Sequence, residues 1–132
     1  MEIFDQSAVI PFRKKNGKIE VLLISTQKAN WTIPKGIVED RHTPQESALK
    51  ESVEEAGVWG IVADKKSGSY KYKKWGGTCS VKVYKMKVVK ILSRWEEDHF
   101  RERLWVDIKD INKFIHRKKL ANIIVDAFSE GN

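Results

Sequence analysis

The span from Trp31 to Val58 constrains this chain more than any other. A loop, Trp31-Thr32-Ile33-Pro34-Lys35-Gly36, ends in glycine and leads to a helix whose start and stop are both legible. Thr43 is an N-cap, Pro44 takes the first helical position, and Glu46, three residues after the cap, completes a capping box. Gly57 supplies a left-handed stop. The helix between them has about four turns and carries Lys50-Glu51-Ser52-Val53-Glu54-Glu55 in its second half. With each residue turning about 100°, Glu51, Glu54 and Glu55 fall within an arc of roughly 100°. Leu49, Ser52, Val53 and Ala56 make the packing face, where the small Ser52 and Ala56 allow close approach to a sheet.

Three carboxylates on a rigid helix face suit a hard divalent cation, although a solvated acidic face is the commoner meaning of this spacing taken alone. The flanking glycines separate the two readings. Gly36, Glu51, Glu54, Glu55, Gly57 and Val58 stand in the register of a known signature: Gly, five residues, Glu, seven residues, Arg-Glu, an aliphatic, any residue, Glu-Glu, any residue, Gly and an aliphatic. In this the chain resembles the Nudix hydrolases, which cleave nucleoside diphosphates linked to another group. His42 stands where that family has Glu, Lys50 where it has Arg, and Ser52 where it has an aliphatic residue. Lys50 is a mobile point charge in place of a planar fork, so Glu51 is expected to be held less firmly. Ser52 on the packing face either costs some apolar burial or finds a backbone acceptor within its own helix. His42, just before the helix, reads as a solvated loop residue rather than a ligand.

The resemblance implies an α/β class, the α/β/α sandwich with a mixed β-sheet of the Nudix fold. It implies magnesium or manganese held by Glu51, Glu54, Glu55 and the Gly36 carbonyl. It implies hydrolysis of a phosphoanhydride bond, with Lys50, Glu51, Glu54 and Glu55 as the catalytic set. The general base would be Glu54 or Glu55, or an acid of a later loop: Glu96, Glu97, Asp98 or Glu102.

The 132 residues, 41% hydrophobic with five Trp, are expected to form one domain spanning 1–132. Cys79 is alone and can form no internal disulfide. No secretory signal and no apolar run of membrane-spanning length is visible, so a reducing, cytoplasmic setting is the default expectation. Strands are expected at 7–12 and 20–25, joined at Asn16-Gly17, then at 58–63, 68–74 and 79–91, with Gly76-Gly77 as a turn, and at 104–108. Apolar residues at helical spacing predict helices at 111–115 and 120–128.

Trp95-Glu96, then Arg101-Glu102-Arg103, Leu104-Trp105-Val106 and the amphipathic 110–115 segment, resemble the Nudix branch that acts on diadenosine polyphosphates and diphosphoinositol polyphosphates. Lys and Arg exceed Asp and Glu by 25 to 18, a net charge of +7 that would concentrate such anions. Lys35, Lys71, Lys73 and Lys74 are candidate phosphate contacts, although Tyr70-Lys71-Tyr72-Lys73 also alternates as a half-exposed strand should. Trp31 either stacks on a base or covers a core edge. His116-Arg117-Lys118-Lys119 reads as a solvated linker. The same basic surface, interleaved with Tyr and Trp, fits two alternatives: a nucleic-acid-binding module on this fold with a degenerate site, or a pyrophosphohydrolase acting on RNA 5′ ends.

Overall fold

The computed structural model describes residues 2–129. The elements follow in the order β1 (Ile3–Lys15), β2 (Lys18–Ser25), β3 (Trp31–Thr32), β4 (Lys35–Ile37), α1 (Pro44–Ala56), β5 (Val58–Val62), β6 (Gly68–Lys74), β7 (Gly77–Ile91) and β8 (Arg103–Asp107). A 3-10 turn at Ile108–Asp110 then leads into α2 (Ile111–Phe114) and α3 (Lys118–Ala127). The strands form one mixed sheet around β1, which pairs parallel with β7 on one side and antiparallel with β2 and β4 on the other. β8 pairs with β2, and β5 and β6 both pair with β7.

Both hairpins follow turn chemistry. Asn16 (φ 53°) and Gly17 (φ 76°) form the left-handed pair that joins β1 to β2, matching the twist of the strands. The β6–β7 turn sits at Trp75 (φ 55°) and Gly76 (φ 71°), one residue earlier than Gly76-Gly77. Gly77 belongs to the strand instead: a Cβ there would lie 2.5 Å from the Glu2 carbonyl and 2.8 Å from the Phe4 ring. The short strands β3 and β4 lack a periodic signature and flank Pro34, whose carbonyl accepts from the Val9 N–H at 3.2 Å.

Residues of β1 alternate between two apolar layers, so neither face of its centre meets water. Ala8 and Ile10 face α2 and α3 with Val21, Leu23, Val81, Val83, Ile111, Leu120 and Ile124. Val9 faces α1 with Leu22, Ile24, Ala48, Ala56, Val58 and Met86. This is the expected sandwich with one helix on one face and two on the other. The helix at 111–115 is only a single turn extended by the preceding 3-10 turn.

Helix α1 begins with the full capping box: Thr43 accepts from the Glu46 N–H and the Glu46 carboxylate accepts from the Thr43 N–H. It ends at Gly57 with φ 65°. Its buried face is Ser47, Ala48, Ser52 and Ala56, while Leu49 and Val53 are only half-buried. Ser52 stands 2.8 Å from the Leu49 carbonyl and 2.9 Å from that of Val58, so its hydroxyl has backbone acceptors where an aliphatic residue would have none to satisfy.

Candidate active site

Helix α1 and strand β4 meet through two carboxylates. The Glu51 carboxyl occupies the space where any residue but glycine at position 36 would put its Cβ. Glu55 accepts from the Lys35 backbone N–H at 3.1 Å, which ties the glycine loop to the helix. The two carboxyls act on each other, the Glu51 charge adding to the rise of Glu55. Burial pushes the Glu55 carboxyl up to about 8, against the Lys35 N–H and Arg101, which favour the anion. Burial also raises Glu51, with the Glu54 carboxylate adding to the rise. Desolvation lowers the Lys35 ammonium from its usual value, and its Nζ lies 5.1 Å from the centre of the Tyr72 ring.

Glu54 is drawn elsewhere. Lys50 lies 3.8 Å from it and makes its short contact, 2.6 Å, with Glu39. Glu51, Glu54 and Glu55 therefore do not converge on one point, and among the described residues no three His, Cys, Asp or Glu side chains are grouped to hold an ion. The pair that does meet fits a hard cation nonetheless. Glu51 and Glu55 are both part-buried, and the charge of such a pair is what a divalent cation would neutralise. Magnesium is commonly held by only one or two carboxylates, the rest of its shell being water and substrate phosphate. Ser7, opposite Gly36 in the β1–β4 register, has a buried hydroxyl with no hydrogen-bond partner among the described residues, an orphan that a bound water at this site would satisfy.

The C-terminal end of α1 is held by the segment 92–103. A helix leaves its last four carbonyls without intrahelical partners. Here that of Val53 accepts from the Gly57 N–H, Glu54 from the Glu97 N–H at 3.1 Å, Glu55 from Trp95 Nε1 at 3.0 Å, and Ala56 from Arg103 at 3.1 Å. The Trp95 ring packs on Gly57, where a Cβ would lie 2.8 Å from it, and the Arg103 guanidinium stacks on that ring at 3.8 Å. Arg101 completes the join, bonded to Glu97 at 2.9 Å and to the Ser25 carbonyl at 2.7 Å, with Glu55 at 4.0 Å.

Beside this assembly opens a cavity of about 600 Å³ lined by Lys28, Trp31, Lys74, Phe100, Arg101 and Arg117 among others. Arg101 faces both the cavity and Glu55, so it connects a basic wall to the carboxylates. Trp31 packs against the edge of the core, as one of its two sequence readings expects, and also lines the cavity. Lys71 and Lys73 do not, because Tyr70 and Tyr72 turn to the core and the lysines that alternate with them point to the other face. Lys74 takes that place. His116 and Arg117, read as linker, also line the cavity, with Arg117 5.2 Å over the Tyr72 ring. His42 is exposed, with Nδ1 3.0 Å from the Asp40 carbonyl. Of the loop acids, Glu97 comes nearest in effect, its charge raising Glu51. Sequence reasoning missed the roles of Arg101, Arg103 and Trp95. The i, i+4 spacing of Glu97 and Arg101 was the available signal.

Residues 4–127 match the NUDIX domain family. The chain is 33% identical over 138 aligned residues to Nudix hydrolase 16, mitochondrial, of Arabidopsis thaliana, covering 90% of this chain and 76% of that one. It spans about half the length of further Arabidopsis Nudix hydrolases. It is 30% identical over 127 residues to diphosphoinositol polyphosphate phosphohydrolase 2 of Rattus norvegicus, covering 86% of this chain and 64% of that one. The crystal structure of a C. elegans Ap4A hydrolase superposes with a TM-score of 0.76 at 22% identity, covering 95% of this chain and 96% of that one. The match of fold, signature and relatives over nearly the whole chain places it in one family: the chain belongs to the Nudix hydrolases.

Proposed function

We propose that this chain hydrolyses phosphoanhydride bonds in polyphosphorylated small molecules, such as diadenosine polyphosphates or diphosphoinositol polyphosphates, with magnesium or manganese. The observation that carries the reading is the part-buried Glu51–Glu55 pair, held against Lys35-Gly36 beside a cavity lined by Lys74, Arg101 and Arg117. A single hydrolytic centre beside an anion-binding wall is what cleavage between phosphates needs.

Glu51 and Glu55 would hold the cation, with Glu54 supplying a third carboxylate once released from Lys50. A bound cation supplies neutralisation of phosphate oxygens and acidifies a water for attack on phosphorus. Arg101, Arg117 and Lys74 bind and orient the phosphates on the cavity side. Trp31 and Phe100 offer ring faces to the group the phosphates carry. Glu54 and Glu97, joined through the backbone at 3.1 Å, stand at the end of α1 where a base can take the proton of the attacking water.

The test is release of phosphate and nucleotide from diadenosine polyphosphates, diphosphoinositol polyphosphates, nucleoside triphosphates, ADP-ribose and 5′-triphosphate RNA, each with magnesium, with manganese and with chelator. Metal-dependent cleavage of one class supports the reading and names the substrate. Folded protein that cleaves none overturns it.

A further inference from the structure

Between Lys65 and Trp95 the chain has ten Lys or Arg and no Asp or Glu, while the remainder has more acids than bases. This acid-free stretch builds β6 and β7, beside the edge strand β5. β7, at fifteen residues, runs about 50 Å, whereas the ten-residue α3 covers about 15 Å. The sheet therefore overshoots the helix on that face. Along β7 the side chains of one face run Val81 and Val83 beneath α3, then Lys85 against Phe128 at its end, then Lys87 and Val89 beyond it. On the adjoining β5, Trp59 pairs with Lys90 and Ile61 with Lys87. Trp59 is 47% exposed, Ile61 66% and Val89 57%.

Lysines on an edge strand commonly serve to prevent sheet-to-sheet association, and their stems cover apolar neighbours. Here the stems of Lys87 and Lys90 leave Trp59 and Ile61 open to water. Half the exposed large hydrophobics of the described residues, Trp59, Ile61, Val89 and Ile91, gather on β5 and the end of β7. We infer that this overhanging corner of β5 and β7 docks on an anionic lipid surface, with Trp59, Ile61 and Val89 entering the interface and Lys87, Lys90 and their neighbours meeting headgroup phosphates. The charge points to an anionic partner, and a second copy would set lysine against lysine. Single-stranded RNA is matched by a series of stacking rings, whereas this corner has one ring among aliphatic side chains. Trp beside Lys on an apolar tip is the chemistry of a membrane–water interface.

The experiment is co-sedimentation of the full chain with vesicles of phosphatidylcholine alone and of phosphatidylcholine mixed with phosphatidylserine, at low and at physiological salt. Binding to the mixed vesicles only, weakened by salt, is expected. Trp59→Ser with Ile61→Ser, and separately Lys87→Glu with Lys90→Glu, should each lower the bound fraction about tenfold, with thermal melting and hydrolysis of a soluble substrate unchanged. The charge reversal keeps the test decisive if the apolar variant folds poorly. Absence of binding to mixed vesicles, equal binding by both variants, preference for a single-stranded RNA oligonucleotide competitor, or self-association that buries Trp59 would each overturn the inference.

Discussion

The indole N–H of Trp95 donates to the backbone carbonyl of Glu55 at 3.0 Å, joining residues forty positions apart at the end of α1. The ring packs on Gly57 and is covered by the Arg103 guanidinium, so one aromatic residue links the helix stop, the loop after β7 and the start of β8. Helix position is thereby tied to the segment that carries Glu97 and Arg101. Trp95→Phe retains the ring and removes the donor, which should cost about 1 kcal/mol of stability and lower kcat more than it raises KM. Thermal melts and steady-state kinetics check this, and unchanged kcat would mean that the loop does not position Glu54 and Glu55.

Arg103→Met keeps much of the side-chain volume while freeing the Ala56 and Leu92 carbonyls at once. The loss should exceed that of Trp95→Phe, at about 2–3 kcal/mol, because two part-buried acceptors lose a charged donor. Denaturant unfolding of the two variants side by side decides the order.

Glu55→Gln should abolish metal-dependent turnover and leave the fold intact. It should also change how stability responds to pH. The folded carboxyl, pushed up to about 8, keeps a proton that the unfolded one releases near its ordinary 4.5. Between those values the unfolded state binds fewer protons, so stability of the metal-free wild type falls as pH rises through this window and levels off above it. Melting temperatures in chelating buffer should decline across that range for wild type and decline less for Glu55→Gln. A rise in wild-type stability with pH would contradict a Glu55 carboxyl raised by burial.

At Gly36 an added methyl would overlap the Glu51 carboxyl. Gly36→Ala should displace that carboxyl and lower kcat/KM by about a hundredfold, the order of effect seen when a catalytic group shifts by an ångström. A calorimetric titration with manganese should show weakened binding in the same variant. Full activity would place the cation elsewhere.

Lys50→Arg, which restores the family's residue, should leave activity unchanged or raise it. Lys50 reaches Glu39 and Glu54 from one nitrogen, and a planar fork can engage both carboxylates with two. A large loss in kinetic assay would show that Lys50 does something here that the fork cannot.

Much of the fold was legible because its signals are local. Thr43, Pro44, Glu46 and Gly57 state where α1 begins and ends through hydrogen bonds within a few residues, and Asn16-Gly17 states a turn through its own φ preference. The Trp75-Gly76 turn was displaced by one residue because Gly77 answers to Glu2 and Phe4 across the sheet, a contact with no trace in its neighbours. The strands β3 and β4 were invisible for a related reason. Two or three residues carry no periodicity, and their pairing is decided by β2 and β1.

By itself, the sequence determined that three carboxylates share one face of a capped helix beside a glycine loop, since helical geometry and end signals act at short range. Only the tertiary structure decided that Glu51 and Glu55 meet while Glu54 turns to Lys50, that Lys74 and Arg117 reach the cavity and Lys71 and Lys73 do not, and that Trp95 and Arg103 close the helix end. Those outcomes depend on which surfaces burial brings together. Buried polar groups must then find partners wherever the packed chain supplies them, and these lie tens of residues away.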